Sequence, residues 1–208
     1  VVIDLLDLAA ELVDIPSESH EEGPLADLFE RRLRDGSKLL VDRIEDNVIA
    51  RSDLGHEHRI IIAGHLDTVP ANGNQQAVID GDRLYGLGAC DMKGGLAAQL
   101  ATAIAIDEPE VDVTFVFYSC EEVAAKYNGL KQLFETHPQL VDGDVALLGE
   151  PTSAAIEAGC QGTLRVKALY EGGRAHTARP WKGRNAIHRL GPALRALERY
   201  EGRTPVVD

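Results

Sequence analysis

Residues 60–70 read IIIAGHLDTVP, an apolar run that ends in a glycine and then alternates polar and apolar residues. The run predicts a strand that is buried on both faces, as strands of parallel sheets are. Because residues two apart on a strand share a face, we expect His65 and Asp67 to lie side by side at its carboxyl end. Open α/β sheets bind ligands at this edge. Taken alone, the pair is more typical of a simple hydrogen bond that closes a strand.

Further strands and helices are predicted to alternate along the chain, which is typical of the α/β class. We therefore expect a mostly parallel sheet with flanking helices. Ser17 or Ser19 is predicted to cap the second helix, and the last strand is predicted to be buried. Strands are predicted at 38–44, 47–53, 59–65, 112–120 and 144–150, and helices at 1–14, 21–35, 92–106 and 128–137.

The pattern changes near residue 160. Residues 162–172 alternate apolar and polar side chains, which predicts a strand with one exposed face, and residues 184–200 show helical spacing that Gly191-Pro192 should disturb. We expect residues 1–161 to belong to a larger domain and residues 162–208 to begin a smaller α+β domain. One strand and one helix do not make a stable domain, so the chain is expected to be truncated at its C-terminus.

The composition limits the partners. The 208-residue chain has a net charge of −13, which argues against binding to nucleic acid or to anionic membrane surfaces. No apolar run is long enough to span a membrane, and residues 1–14 are acidic and amphipathic, unlike a signal peptide. Cys90, Cys120 and Cys160 are an odd, widely spaced set that indicates a reducing compartment. We therefore expect a cytoplasmic protein.

Four acidic residues lie at the ends of other predicted elements: Asp91 precedes the third helix, Glu121 and Glu122 follow one strand, and Glu150 ends another. Each has a simpler interpretation, since Asp91 could cap a helix, the glutamate pair could open one, and Glu150 could be a loop charge. Together with His65 they would crowd at one sheet edge, where such a cluster repels itself unless a cation neutralises it. Mixed histidine and carboxylate ligands suit zinc, cobalt or manganese.

These segments resemble a known family, the co-catalytic zinc amidohydrolases, which include aminoacylase, glutamate carboxypeptidase, acetylornithine deacetylase and succinyl-diaminopimelate desuccinylase. The resemblance implies a zinc exopeptidase-like fold, in which the larger domain is catalytic and binds two zinc ions. The smaller domain would be a lid through which a homodimer forms. The segments that carry the resemblance are GHLDTVP at 64–70, YGLGACDMKGG at 85–95, CEE at 120–122 and LLGEPT at 147–152.

The resemblance also implies a set of metal ligands. His65 and Glu150 would bind one zinc ion, Glu122 would bind the second, and Asp91 would bridge the two ions through its carboxylate. The peptide bond between Asp91 and Met92 would be cis. In the family the second zinc ion also has a histidine near the C-terminus, and this sequence contains no matching residue.

Three more residues receive roles from the resemblance. Asp67 would hold the ring of His65, and Glu121 would be the general base of amide hydrolysis. His176, within the segment RAHTARPWKGRNAIHRL, matches a lid histidine that reaches the active site of the partner subunit.

Within the family, the segments at 147–166 and 174–190 are most similar to actinobacterial desuccinylases. The expected reaction is hydrolysis of N-succinyl-LL-2,6-diaminopimelate to succinate and LL-2,6-diaminopimelate. Alternatives are another deacylase or carboxypeptidase of the family, or a metal-binding and dimerising protein without catalysis. The presence of Glu121 favours an enzyme, since binding alone does not need it. The 208 residues by themselves are expected to be inactive, because the last zinc ligand and most of the lid are missing.

Overall fold

The computed structural model describes residues 3–158 and 165–202. The chain divides into two compact units, Val1–Glu157 and Ala158–Asp208. The predicted domain boundary between residues 161 and 162 lies outside the described residues and stays a prediction. In the described parts of the chain, no helix is long and apolar enough to cross a membrane.

The first unit is built on a five-stranded sheet with the strand order β1-β2-β6-β3-β7. Strands β6, β3 and β7 pair in parallel, β2 is antiparallel to β6, and β1 is antiparallel to β2, so four of the five strands point the same way. The predicted α/β class is therefore confirmed. The strands are β1 (Leu40–Ile44), β2 (Asn47–Arg51), β3 (Arg59–His65), β6 (Asp112–Tyr118) and β7 (Val145–Leu148), and a separate hairpin contains β4 (Val78–Asp80) and β5 (Arg83–Tyr85).

Helices pack against both faces of this sheet. Side chains alternate along the buried central strand β6, so each face of the strand contributes to a separate core cluster. Phe115 and Phe117 pack in a core cluster with three helices, whereas Val116 and Tyr118 pack in a second cluster with α4. The helices on the first face are α1 (Leu5–Asp14), α2 (Gly23–Gly36) and α3 (Gly94–Ala105). Helix α4 (Gly129–Thr136) packs on the second face. These bounds agree with the predicted helices to within a few residues.

Two predictions about the first unit are wrong. Ser17 and Ser19 do not cap α2, because their hydroxyl groups donate instead to Leu66 and Asp67 beyond the end of β3. Strand β7 is exposed rather than buried, since among the described residues it pairs with β3 alone and lies at the edge of the sheet.

The second unit contains less regular structure than its sequence predicts. Residues 165–172 form no strand, and among the described residues the only β-bridge here joins Gly173 to Arg184. Helix α5 (Ala186–Glu198) is capped by Asn185, whose side chain accepts from the amides of Ile187 and His188, and it continues through Pro192.

The turn between β2 and β3 is held by Asp112, the first residue of β6. Its buried carboxylate accepts hydrogen bonds from the Ser52 hydroxyl and, at 3.0 Å each, from the amides of Leu54 and His56. Burial works to raise the pKa of Asp112, but these hydrogen bonds and the charge of Arg59 outweigh it and lower the pKa to about 2. The ionised carboxylate therefore stabilises the fold.

Replacing Asp112 by alanine is expected to lower the free energy of unfolding by about 2–4 kcal/mol at neutral pH, because the buried Ser52 hydroxyl and two backbone amides lose their acceptor. The pKa is depressed in the folded state, so the stabilisation is present above about pH 4 and is lost as the pH falls toward 2. Urea unfolding at several pH values measures this, with the exposed Asp53→Ala as control. A variant as stable as the parent at neutral pH would contradict the account.

Candidate metal centre

The ends of three parallel strands bring the candidate residues together. In the sheet register, His65 at the end of β3 is opposite Tyr118 at the end of β6, and Ala63 is opposite Leu148 at the end of β7. The residues that follow these strands therefore meet at one edge of the sheet, as predicted from the sequence. They are Asp67 after β3, Glu121 and Glu122 after β6, and Glu150 after β7.

His65 is buried, with 1% of its surface exposed. Its Nε2 atom lies 3.0 Å from Oδ1 of Asp91 and 4.0 Å from Oε2 of Glu150. On the other side of the ring, Nδ1 lies 3.0 Å from the carbonyl oxygen of Asp67 and 3.4 Å from its carboxylate. Burial works to lower the pKa of His65, but the hydrogen bonds to Asp67 and Asp91 outweigh it and raise the pKa to about 9.

Two groups of side chains place their ligand atoms within 4.8 Å of one another: His65 with Asp91 and Glu150, and His65 with Glu121 and Glu122. The first group is the set that the family resemblance implies around one zinc ion. In the second group both glutamates lie within ligand distance, so their division into one ligand and one base stays a prediction. One imidazole and several carboxylates are a donor set that suits zinc or manganese.

The charges in the cluster also favour a cation. Burial and the charge of Asp91 are the main factors that raise the pKa of Glu122. Burial likewise raises the pKa of Glu150; His65 opposes this shift, while Asp91, Glu121 and Glu122 add to it. A divalent cation between these carboxylates would offset the repulsion between their negative charges.

Close backbone contacts bring Asp91 near Glu150. The peptide bond between Asp91 and Met92 is cis, as expected. A β-carbon at Gly95, in the first turn of α3, would lie 2.5 Å from the carbonyl oxygen of Gly149, so only glycine permits this approach of α3 to the end of β7.

Asp67 connects the ends of two strands. Its buried carboxylate accepts hydrogen bonds from the Ser19 hydroxyl at 2.7 Å, the amide of Glu121 at 2.9 Å and the amide of Glu122 at 3.0 Å. Burial would raise the pKa of Asp67, but hydrogen bonds from His65, Ser19 and these two amides lower it to about 2. The sequence predicted the contact with His65 alone. Backbone hydrogen bonds across more than 50 residues have no local sequence signal.

The segment between α1 and α2 is a second feature that sequence reasoning missed. Ser17 donates from its hydroxyl to the carbonyl of Leu66 at 2.8 Å and accepts at its own carbonyl from the amide of Thr68 at 2.9 Å. The buried ammonium group of Lys93 donates to the carbonyl of Ile15 at 2.7 Å, and burial lowers the pKa of Lys93 to about 8. The segment is thus tied to the end of β3 and to the residues that follow Asp91.

The remaining candidates are His176 and the three cysteines. His176 is exposed in the second unit, where its Nδ1 atom accepts from the amide of Ala178 at 3.1 Å. Cys90 is exposed and Cys120 is buried, and neither forms a disulfide. Cys160 lies outside the described residues.

A mixed α/β sheet with histidine and carboxylate groups converging at its strand ends defines this chain as an α/β protein with a candidate divalent-metal centre. The model of peptidase family M20/M25/M40 matches residues 61–206, and the chain belongs to that family.

Named relatives align with nearly the whole of this chain. A Mycobacterium tuberculosis protein named as a succinyl-diaminopimelate desuccinylase is 47% identical over 206 residues, which is 99% of this chain and 58% of the relative. A Corynebacterium glutamicum protein of the same name is 43% identical over 210 residues, or 99% of this chain and 57% of the relative. The crystal structure of a Staphylococcus aureus tripeptidase shares the fold, with a TM-score of 0.59 and 21% identity over 94% of this chain and 55% of that one. This chain therefore spans less than two thirds of each relative.

Full-length protein is expected to bind two Zn²⁺ ions per chain in a calorimetric titration. Glu150→Gln should lower the affinity for one of the two ions by at least about 100-fold, because a charged ligand is lost. Glu157→Gln, at an exposed position in the same connection, serves as the control and should titrate like the parent. Two ions bound with unchanged affinity by Glu150→Gln would show that Glu150 is not a ligand.

Proposed function

We propose that the whole protein hydrolyses the amide bond of N-succinyl-LL-2,6-diaminopimelate to give succinate and LL-2,6-diaminopimelate. The observation that carries the proposal is the convergence of His65, Asp91, Glu122 and Glu150 at one sheet edge, with Glu121 beside them. Two relatives that carry this substrate in their name are 47% and 43% identical over nearly the whole chain. Those names support the choice of substrate.

The metal pair is proposed to be zinc, although cobalt or manganese suits the same ligands. His65 and Glu150 would hold one ion, Glu122 the other, and Asp91 both. When bound, such a pair lowers the pKa of a water molecule and polarises the amide carbonyl of the substrate. The low pKa of Asp67 keeps its carboxylate ionised, so it can keep Nδ1 of His65 protonated and leave Nε2 as a ligand atom.

Glu121 is proposed to transfer the proton. The amide of Glu121 donates to Oδ1 of Asp67 at 2.9 Å. An oxygen of its exposed carboxylate lies within 4.8 Å of the ligand atoms of His65 and Glu122. A carboxylate in this place can accept a proton from the attacking water and then donate it to the nitrogen of the leaving amine. The two transfers leave Glu121 in its starting state and yield a carboxylic acid and an amine.

The substrate is proposed to be enclosed by a homodimer of a cytoplasmic enzyme. His176 of one subunit would donate a hydrogen bond to the carbonyl oxygen of the substrate in the partner subunit's site as negative charge develops there. The resemblance at residues 174–190 supports this role. The cytoplasmic location is supported by the free thiols of Cys90 and Cys120.

Glu121→Gln is expected to lower kcat for N-succinyl-LL-2,6-diaminopimelate by about 10²- to 10⁴-fold, because an amide cannot take up the proton. The zinc content should remain two ions per chain. Steady-state kinetics and elemental analysis of the full-length protein measure both quantities, and Glu57→Gln, an exposed loop variant, is the control. Loss of one zinc ion in Glu121→Gln would reverse the assignment of the glutamate pair. A parent enzyme that cleaves only N-acetyl or dipeptide substrates would contradict the proposed acyl group.

His176→Ala is expected to lower kcat more than it raises KM, since the proposed hydrogen bond strengthens in the transition state. Mixing this variant with Glu121→Gln should restore part of the activity, because a mixed dimer contains one site with both residues intact. His188→Ala, also exposed in the second unit, is the control. An absence of recovery, with subunit exchange verified by mass spectrometry, would place His176 in its own subunit's site.

A further inference from the structure

The turn that follows β6 is held in an unusual way. Cys120 adopts a left-handed backbone conformation with a φ angle of 59°, which few residues other than glycine adopt. The amide of Cys120 donates to Oε1 of Glu22 at 2.9 Å, while the amides of Glu121 and Glu122 donate to the two carboxylate oxygens of Asp67. Three successive amides, which end at the glutamate pair, are therefore all bound by buried carboxylates.

Glu22 is an unexpected residue in this position. It is a glutamate with 1% of its surface exposed, and no ion pair involves it in the parts of the chain that the structure describes. Its carboxylate contacts the amide and, at 3.3 Å, the sulfur atom of Cys120. A buried carboxylate costs free energy unless its hydrogen bonds compensate, so these contacts explain why a charged residue can lie here.

The side chain of Glu22 does not cap its own helix, α2. Glu22 is the first flanking residue of α2, and its carbonyl accepts from the amide of Ala26 at 2.9 Å, but its carboxylate makes no capping hydrogen bond. The carboxylate instead reaches a residue 98 positions later in the chain. Its location near the positive end of α2 lowers the cost of its charge.

We propose that Glu22 is a positioning residue of the metal centre, which acts through the amide of Cys120 to fix the turn that presents Glu121 and Glu122. The inference rests on the proposed function, since it assumes that this glutamate pair supplies a metal ligand and a base. Asp67 holds the last two amides of the turn, and Glu22 holds the first. Without Glu22, only the amides of Glu121 and Glu122 would keep a carboxylate acceptor, and the amide of Cys120 would lose its own.

Loss of Glu22 is expected to misplace Glu121 and Glu122 while leaving their carboxylates chemically unchanged. A misplacement of about 1 Å in a catalytic group can lower a rate about 100-fold. Loss of a residue that orients a metal ligand typically weakens metal binding by roughly 10- to 100-fold. Glu22→Ala should therefore affect both the ion bound by Glu122 and the proton transfer by Glu121.

The test compares Glu22→Ala, Glu22→Gln and the control Glu21→Ala in the full-length protein. Glu21 is adjacent and exposed, so this control removes the same charge. In a Zn²⁺ titration, Glu22→Ala is expected to bind one of two ions about 10- to 100-fold more weakly, with kcat lowered to a similar extent and KM nearly unchanged. Glu22→Gln should lie within about threefold of the parent, because its side-chain oxygen still accepts from Cys120.

Zinc affinity and kcat like those of the parent in Glu22→Ala would overturn the inference, as would a glutamine variant as impaired as the alanine variant. Should Glu22→Ala fail to fold, Glu22→Asp replaces it, and zinc affinity unchanged in that shortened variant would equally overturn the inference. A parent protein that binds zinc but does not cleave the succinyl substrate would refute the proposed function alone. The zinc titration of the variants would still decide the role of Glu22.

Discussion

The hydrogen bonds of the buried Asp67 carboxylate are the interactions on which the geometry of the candidate metal centre depends. One of its oxygens lies 3.4 Å from Nδ1 of His65, and the two oxygens accept from the amides of Glu121 and Glu122. The ends of β3 and β6, which adjoin in the sheet, are therefore tied by a single charged group. Such a group is retained in a protein interior only when hydrogen bonds satisfy it, and the Ser19 hydroxyl supplies a further one.

The surrounding fold provides the rigidity that this arrangement needs. Core clusters on both faces of the sheet hold the central strands, and their parallel register places acidic residues from three strand ends at one edge. Burial raises the pKa of Glu122 and of Glu150, and the charges of the neighbouring acids add to the shift. A divalent cation binds tightly at such a cluster, because it neutralises carboxylates that a rigid frame holds close together.

The sequence predicted much of this arrangement because the decisive signals are local. The apolar run at 59–65 matches β3 at both ends, and the acids follow strands whose carboxyl ends must meet in a parallel sheet. The hydrogen bonds of Ser19 and Glu22 could not be predicted, since they join residues 48 and 98 positions apart. The exposure of β7 was missed for a similar reason, because an apolar strand looks the same at the edge of a sheet as at its centre.

Asp67 is proposed to organise the centre without binding metal itself. The most direct measurement is a crystal structure of the zinc-loaded full-length protein, with anomalous scattering recorded at the zinc edge. We expect two peaks about 3.5 Å apart, with His65, Asp91, Glu122 and Glu150 as ligands. Asp67 should still accept hydrogen bonds from the amides of Glu121 and Glu122. A zinc ion coordinated by Asp67, or one coordinated by Glu121 in place of Glu122, would contradict this proposal.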